Sequence, residues 1–371
     1  MITPGVGWAL GLPERVPEGT PIWQAGGRPW VVRTSDGGAH WASFLHEVAY
    51  PVVPVAADFH DEGHAWVLLL LDGESTASNE TVVVASTDDG GLHWNRSARL
   101  YVNGQAARIQ FADTSHGWVF ATPSAGGALG SQDTTLYRTI DGGVHWQLIK
   151  AASQVGGAPG VYGTLPEACP GGGPIGPPSF IDAQTGWIGA FCDRQFLSVT
   201  HDGGLSWVAQ PLPSFPGPAY AEPAHVLYDI DPAVFTSSRD GALVVRRGFT
   251  TGANALQEAA VYTTHDGGAS WAGFRLPRPE LAIDFVDSQY GWMILAGAGG
   301  AIEVRSLYAT ADGGRSWQQV AGPQDYFNRE LSFVSPTIGF IGEPAVKDQP
   351  ARLLKTTDRG TTWVPIPFVV E

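Results

Sequence analysis

Thr139-Ile140-Asp141-Gly142-Gly143-Val144-His145-Trp146 is one copy of a T-x-D-G-G-x-x-W string that returns along the whole chain. Its aspartate recurs as Asp36, Asp89, Asp141, Asp202, Asp266, Asp312 and Asp358, at intervals of 53, 52, 61, 64, 46 and 46 residues. The first six copies are perfect, and the seventh, Thr356 to Trp363, has Arg359 where the first glycine belongs. A five-position pattern returning seven times is not chance. It marks a repeated supersecondary unit, which must be found before any domain count is attempted.

A second motif, F-x-D-x-x-x-G-W, precedes each box. It reads Phe111-Asp113-Gly117-Trp118, Phe180-Asp182-Gly186-Trp187 and Phe285-Asp287-Gly291-Trp292. Degenerate copies are Phe59-Asp61-Ala65-Trp66, Phe235-Gly241-Ala242 and Phe333-Gly339-Phe340; the first copy keeps Gly7-Trp8, with Met1 in the phenylalanine slot. Twelve of the 14 tryptophans fall inside these repeats, leaving Trp23 and Trp30 outside. Each unit reads as four strands: A ends at the Phe, B starts at Gly-Trp, C precedes the box and D starts at the box Trp. Alternating apolar residues and turn signals favour strands over helices. Paired glycines suit a turn with positive φ, and an Asp side chain accepts hydrogen bonds from backbone N–H groups of its own turn. The Thr braces that turn and the Trp plugs the hairpin, so the seven box aspartates are read as structural. The expected fold is an all-β, seven-bladed β-propeller of four-stranded antiparallel blades, one domain over 1–371, with insertions at 147–179 and 208–234.

Composition agrees. The 371 residues include 48 Gly and 28 Pro, which penalise long helices, and 43% hydrophobic residues, too many for a disordered chain. A formal net charge of −15 argues against nucleic acid as partner. No run of 18 apolar residues is present, so no membrane-spanning helix is expected. Blade one shows no strand A. Either the gene continues upstream and supplies that strand with an export signal, or blade one is three-stranded and the tail after Trp363 closes the ring.

The boxes resemble the Asp-box, or BNR, repeat of the sialidase-like superfamily. Paired with the Gly-Trp strands, seven times in one domain, they most resemble the photosystem II stability/assembly factor family and its bacterial relatives. That resemblance implies seven blades, export to the periplasm, cell surface or extracellular space, and a binding or assembly scaffold rather than an enzyme. The family's binding surface is arginine-rich, whereas this chain is acidic. Sialidases are less similar, because they carry few boxes and an arginine triad that is not identifiable here.

Loops opposite the boxes, B–C and D–A, are the candidate binding face. Two D–A stretches are long: 34 residues from Trp146 to Phe180 and 28 from Trp207 to Phe235. They hold Tyr162, Glu167, Tyr220, Glu222, His225, Asp229 and Asp231, and the long B–C loop of blade one adds Trp23, Arg28 and Trp30. The two tryptophans either form ligand platforms or pack a loop onto the propeller. Asp229, Asp231 and Glu222 are either solvated loop carboxylates or the acid/base pair of a glycoside hydrolase or lyase. The histidines follow the repeat: His40, His93 and His145 precede box tryptophans, without zinc-ligand spacing. Cys169 and Cys192, the only cysteines, are either bridged, tying down the insertion in an oxidising compartment, or two buried thiols. The expectation is a monomeric scaffold, without cofactor or metal, whose partner is a protein or a surface glycan.

Overall fold

The computed structural model describes residues 1–11, 30–44, 52–71, 79–122, 134–152, 175–217, 226–249, 257–277, 280–296, 305–324, 331–343 and 351–370, and the regular elements among them are all strands. They form seven sheets arranged as the blades of a β-propeller. Blade three is representative: Gln105–Phe111, Gly117–Thr122, Thr134–Thr139 and Gln147–Ala152 pair antiparallel in chain order as A, B, C and D. Strand A of one blade lies against strand A of the next, as for Val52–Phe59 with Gln105–Phe111, so the A strands surround the axis.

Central strands do not simply alternate. In blade two, Trp66, Val67, Leu68 and Leu69 are all buried in succession. Each blade is sandwiched between two others, so both faces of its middle strands lie in a core.

The F-x-D-x-x-x-G-W motif is the joint between blades. The Trp66 ring stacks on Phe111 of the next blade at 3.6 Å, Trp118 on Phe180 at 3.6 Å, and Trp292 on Phe333 at 3.6 Å. The motif glycine is required because the Phe ring of its own blade lies over it: a Cβ at Gly117 would fall 2.6 Å from Phe111. Each of these indoles also donates its Nε1–H to a carbonyl at the first glycine position of the next box, at Gly142, Gly203 and Arg359 respectively.

A second joint lies near the axis, one residue before the Phe in blades two, three, four and six. Asp58 accepts the N–H of Phe111 at 2.6 Å, Gln110 pairs with both the N–H and C=O of Phe180, and Asp284 accepts the N–H of Phe333 at 2.6 Å. Ser179 donates to the Ala233 carbonyl. Blade five has Val234 at this position and Ala242 in the tryptophan slot, so it makes neither joint to blade six.

Blade one is built from Gly7–Gly11, Trp30–Thr34 and His40–Phe44, and Val369–Val370 from the tail joins parallel to His40–Trp41. Met1 lies over Gly7 as Phe111 lies over Gly117. Thr3 Oγ1 accepts from the N–H groups of Gly5 and Val6, as Asp113 Oδ1 does from Ser115 and His116. No helix among the described residues is long and apolar enough to cross a membrane.

Candidate functional site

All seven boxes share one hydrogen-bond scheme. In blade three, Thr139 Oγ1 donates to Asp141 Oδ1 at 2.9 Å and accepts the Gly143 N–H at 3.0 Å, while Asp141 Oδ1 accepts the His145 N–H at 2.9 Å. The first glycine's N–H donates to the A–B turn of its own blade, here Gly142 to Ser115, so A–B turns and boxes share one face. Gly142 and Gly143 have φ of 74° and 92°; Arg359 is held at 66°, where a side chain costs conformational energy.

The residue before the box Trp completes the scheme. His40, His93 and His145 place Nδ1 at 2.6, 2.6 and 2.7 Å from the outer oxygen of their box Asp, whereas Ser206, Ser270, Ser316 and Thr362 donate a hydroxyl to the same oxygen. These bonds pull the carboxyls down: Asp89, chiefly through the His93 N–H, and Asp266, chiefly through the Ser270 hydroxyl, each fall to about 2. Every box carboxylate thus accepts hydrogen bonds from its own turn on both oxygens.

The opposite face carries a different charge cluster in blade five. Strand B, Gly241–Phe249, lies between Val226–Ile230 and Gln257–Thr264, pairing Asp229 with Arg246 and Tyr228 with Arg247. Arg246 grips Asp231 through both terminal nitrogens, at 2.7 and 2.6 Å, and stands 3.5 Å from Asp229. Burial, then the neighbouring Asp231 charge, raise the Asp229 pKa against the pull of Arg246. On the other side of the same sheet, buried Glu258 is shared by Arg247 and Arg275. Phe215 covers Arg247, its ring centroid 4.2 Å from the guanidinium carbon. The first cluster carries a net formal charge of −1, the second +1.

Phe215 belongs to a linker that wedges between blades four and five. There Trp187 donates to Gln210 Oε1 at 2.7 Å, and Gln210 Nε2 donates to the Gly268 carbonyl at 2.6 Å. In the other six boxes the second-glycine position's carbonyl accepts the box Trp Nε1–H. Gln210 takes that place in blade five, and Trp271 Nε1 is buried with no partner.

Of the residues the sequence singles out, Asp229 and Asp231 are brought together on one guanidinium. Trp23, Arg28, Tyr162, Glu167, Cys169, Tyr220, Glu222 and His225 lie outside the described residues. Trp30 opens strand C of blade one, its backbone opposite Gly11. Cys192 is buried, and its backbone exchanges two hydrogen bonds with Tyr228 of blade five; among the described residues no cysteine is free. Sequence reasoning missed Arg246, Arg247, Glu258, Arg275 and Gln210. The one available signal was Arg246-Arg247 inside an apolar strand, a placement that requires partners. Among the described residues, no group of three or more His, Cys, Asp or Glu converges as metal ligands do.

The molecule is therefore a seven-bladed β-propeller with a charge-paired cluster on the face away from its boxes. No protein-family model matches the chain, and no curated protein matches it. Among solved structures, it is similar to YCF48 bound to D1 peptide, at 17% identity over 85% of this chain and 82% of that one, with a TM-score of 0.47. YCF48 from Cyanidioschyzon merolae is 15% identical over 86% of each chain, TM-score 0.47. The GH74 enzyme of Niastella koreensis is 15% identical over 91% of this chain and 64% of that one, TM-score 0.44. Likeness at this level carries no information about ligands.

Proposed function

We propose that this chain is a non-catalytic binding scaffold, of the kind its Asp-box and Gly-Trp repeats resemble in photosystem II assembly factors, and that it holds a protein partner or a surface glycan on the face opposite the boxes. One observation carries the reading: the carboxylates that blade five brings to that face are tied to arginines. Asp231 is gripped bidentately by Arg246, and Glu258 lies between Arg247 and Arg275. A general base needs an accessible lone pair in reach of its proton, and these carboxylates direct theirs at guanidinium groups. Two arginines with 32% and 46% of their side chains exposed, Arg246 and Arg275, suit polar recognition.

The rival reading, a glycoside hydrolase or lyase, draws on the raised pKa of Asp229, as a general acid requires. A glycan substrate screen separates the two: the scaffold reading expects no turnover by wild type, and turnover abolished by Asp229→Asn or Asp231→Asn would replace it with the enzyme. Partner capture from an envelope fraction should be lost in the double variant Arg246→Ala and Arg275→Ala but kept when box-face Leu92 is changed to Ser; capture that follows Leu92 instead would refute the assignment of the face. We place the protein outside the cytoplasm, with a Cys169–Cys192 bridge. Mass spectrometry finding both thiols free in native protein would remove that placement.

A further inference from the structure

Blades two, three and six each send an indole across to the next blade, where it meets two fixed features: the face of a Phe ring and a carbonyl at the first glycine position of the box. Blade five sends nothing, because the slot holds Ala242. Blade six nevertheless keeps both receiving features. Phe285 has the position of Phe111, Phe180 and Phe333; it packs against the aliphatic cluster that holds Ala242, Val244 and Val261, and among the described residues its aromatic contact is the edge of Trp317 at 6.0 Å. Gly313 has the position of Gly142, Gly203 and Arg359, with the same N–H bond to its A–B turn.

A cleft lies where the missing indole would enter. Ala242, Thr264, Phe285 and Asp287 line it, and it opens on the box face beside His265. His265 Nδ1 stands 2.9 Å from Asp240 Oδ1 at that opening. We infer that this seam is a binding site for an indole ring, stacked on Phe285 with its N–H donated to the Gly313 carbonyl. Apolar cavities left by large-to-small replacements take up aromatic rings, and here the replacement is native to one blade of seven. The cleft as it stands holds space for about one water. A ring therefore enters by turning aside the exposed His265–Asp240 pair, which keeps affinity modest. The site lies on the box side and does not depend on the scaffold reading of the other face.

The test is a titration of isotopically labelled full chain with indole, followed by amide shifts and calorimetry. Saturable binding is expected with a dissociation constant on the order of 1 mM, with shifts centred on Thr264, Phe285 and Ser288. N-methylindole, which cannot donate, should bind at least about ten-fold more weakly, consistent with one lost hydrogen bond. Ala242→Trp should abolish binding by filling the slot. Should that variant not fold, Ala242→Leu blocks the slot in part and Phe285→Leu removes the stacking face, and either should weaken binding. A short Gly-Ser-Trp-Ser-Gly peptide run in parallel tells the two sources apart: binding by the peptide points to a partner's exposed tryptophan, and binding by indole alone to a free small molecule. No saturation up to the solubility limit of indole, or equal binding by the slot-filling variant, overturns the site.

Discussion

Trp118→Ala is the most direct test of the joints between blades. The indole is 2% exposed, lies flat on Phe180 at 3.6 Å with an interplanar angle of 2°, and donates to the Gly203 carbonyl at 3.0 Å. Truncating a buried tryptophan costs about 3–5 kcal/mol, counting both lost transfer energy and the cavity. Within that, the stacked pair contributes about 1 kcal/mol beyond its area, and the orphaned carbonyl adds roughly 1 kcal/mol. Three variants divide the total: Trp118→Ala, Phe180→Ala, and both together. Urea unfolding at neutral pH should show the double variant costing about 1 kcal/mol less than the sum of the singles, since the shared stack can be lost only once. Trp118→Phe should retain part of the stack and lose the hydrogen bond, costing about 1–2 kcal/mol. A loss below about 1 kcal/mol for Trp118→Ala, or strict additivity in the cycle, would refute the claim that these rings bind blade to blade.

Arg359→Gly should stabilise the protein. It relieves a left-handed residue, worth about 1–2 kcal/mol, and gives up the guanidinium over the Tyr290 ring at 5.1 Å, worth about 0.5–1 kcal/mol; a lower urea midpoint in the variant would contradict this balance. Asp284, raised to about 6 by burial against the pull of the Phe333 N–H, is protonated in the fold but ionised in the unfolded chain between about pH 4 and 6. Its contribution to stability therefore falls as pH rises through that window. Asp284→Asn should flatten the fall, gaining about 3 kcal/mol at pH 7, and unchanged pH profiles would count against it. Asp89 and Asp266 run the other way: their contribution is present above about pH 4 and is lost as pH falls through their folded values of about 2. On acidification, thermal scans should therefore show the midpoint dropping steeply only once pH falls below about 4. His93→Ser, which installs the residue type that blade four uses at Ser206, should leave the midpoint at pH 7 unchanged by differential scanning calorimetry.

The architecture was legible because the box and the Phe-Gly-Trp motif encode local needs, a tight turn and a ring over a glycine, that must be met in nearly the same way in every blade. What escaped the sequence is what depends on distant partners. Nothing near Asp231 announces Arg246, which comes from the neighbouring strand, and Gln110 gives no sign that it will clasp the backbone of Phe180 seventy residues on. The histidines before the box Trp were visible as a recurrence, but their bond to the box carboxylate became evident only beside the serines that replace them. Alternation within strands was misleading at Trp66 to Leu69, where a blade covered on both sides has no solvent face to encode. Most of the candidate loop residues fall in stretches whose spacing follows no repeat, so period-based reading could mark their location but not their contacts.

Gln210 has a practical consequence for anyone re-engineering this molecule. The connector between blades four and five doubles as part of the joint, since one amide there stands in for a contact that the other boxes make with their own indole. Swapping in new sequence after Gly217 leaves that clasp in place, whereas a graft begun at Val208 would remove it, taking away the acceptor of Trp187 and the donor on the Gly268 carbonyl. Safe and unsafe cut sites thus lie within a single linker, a few residues apart.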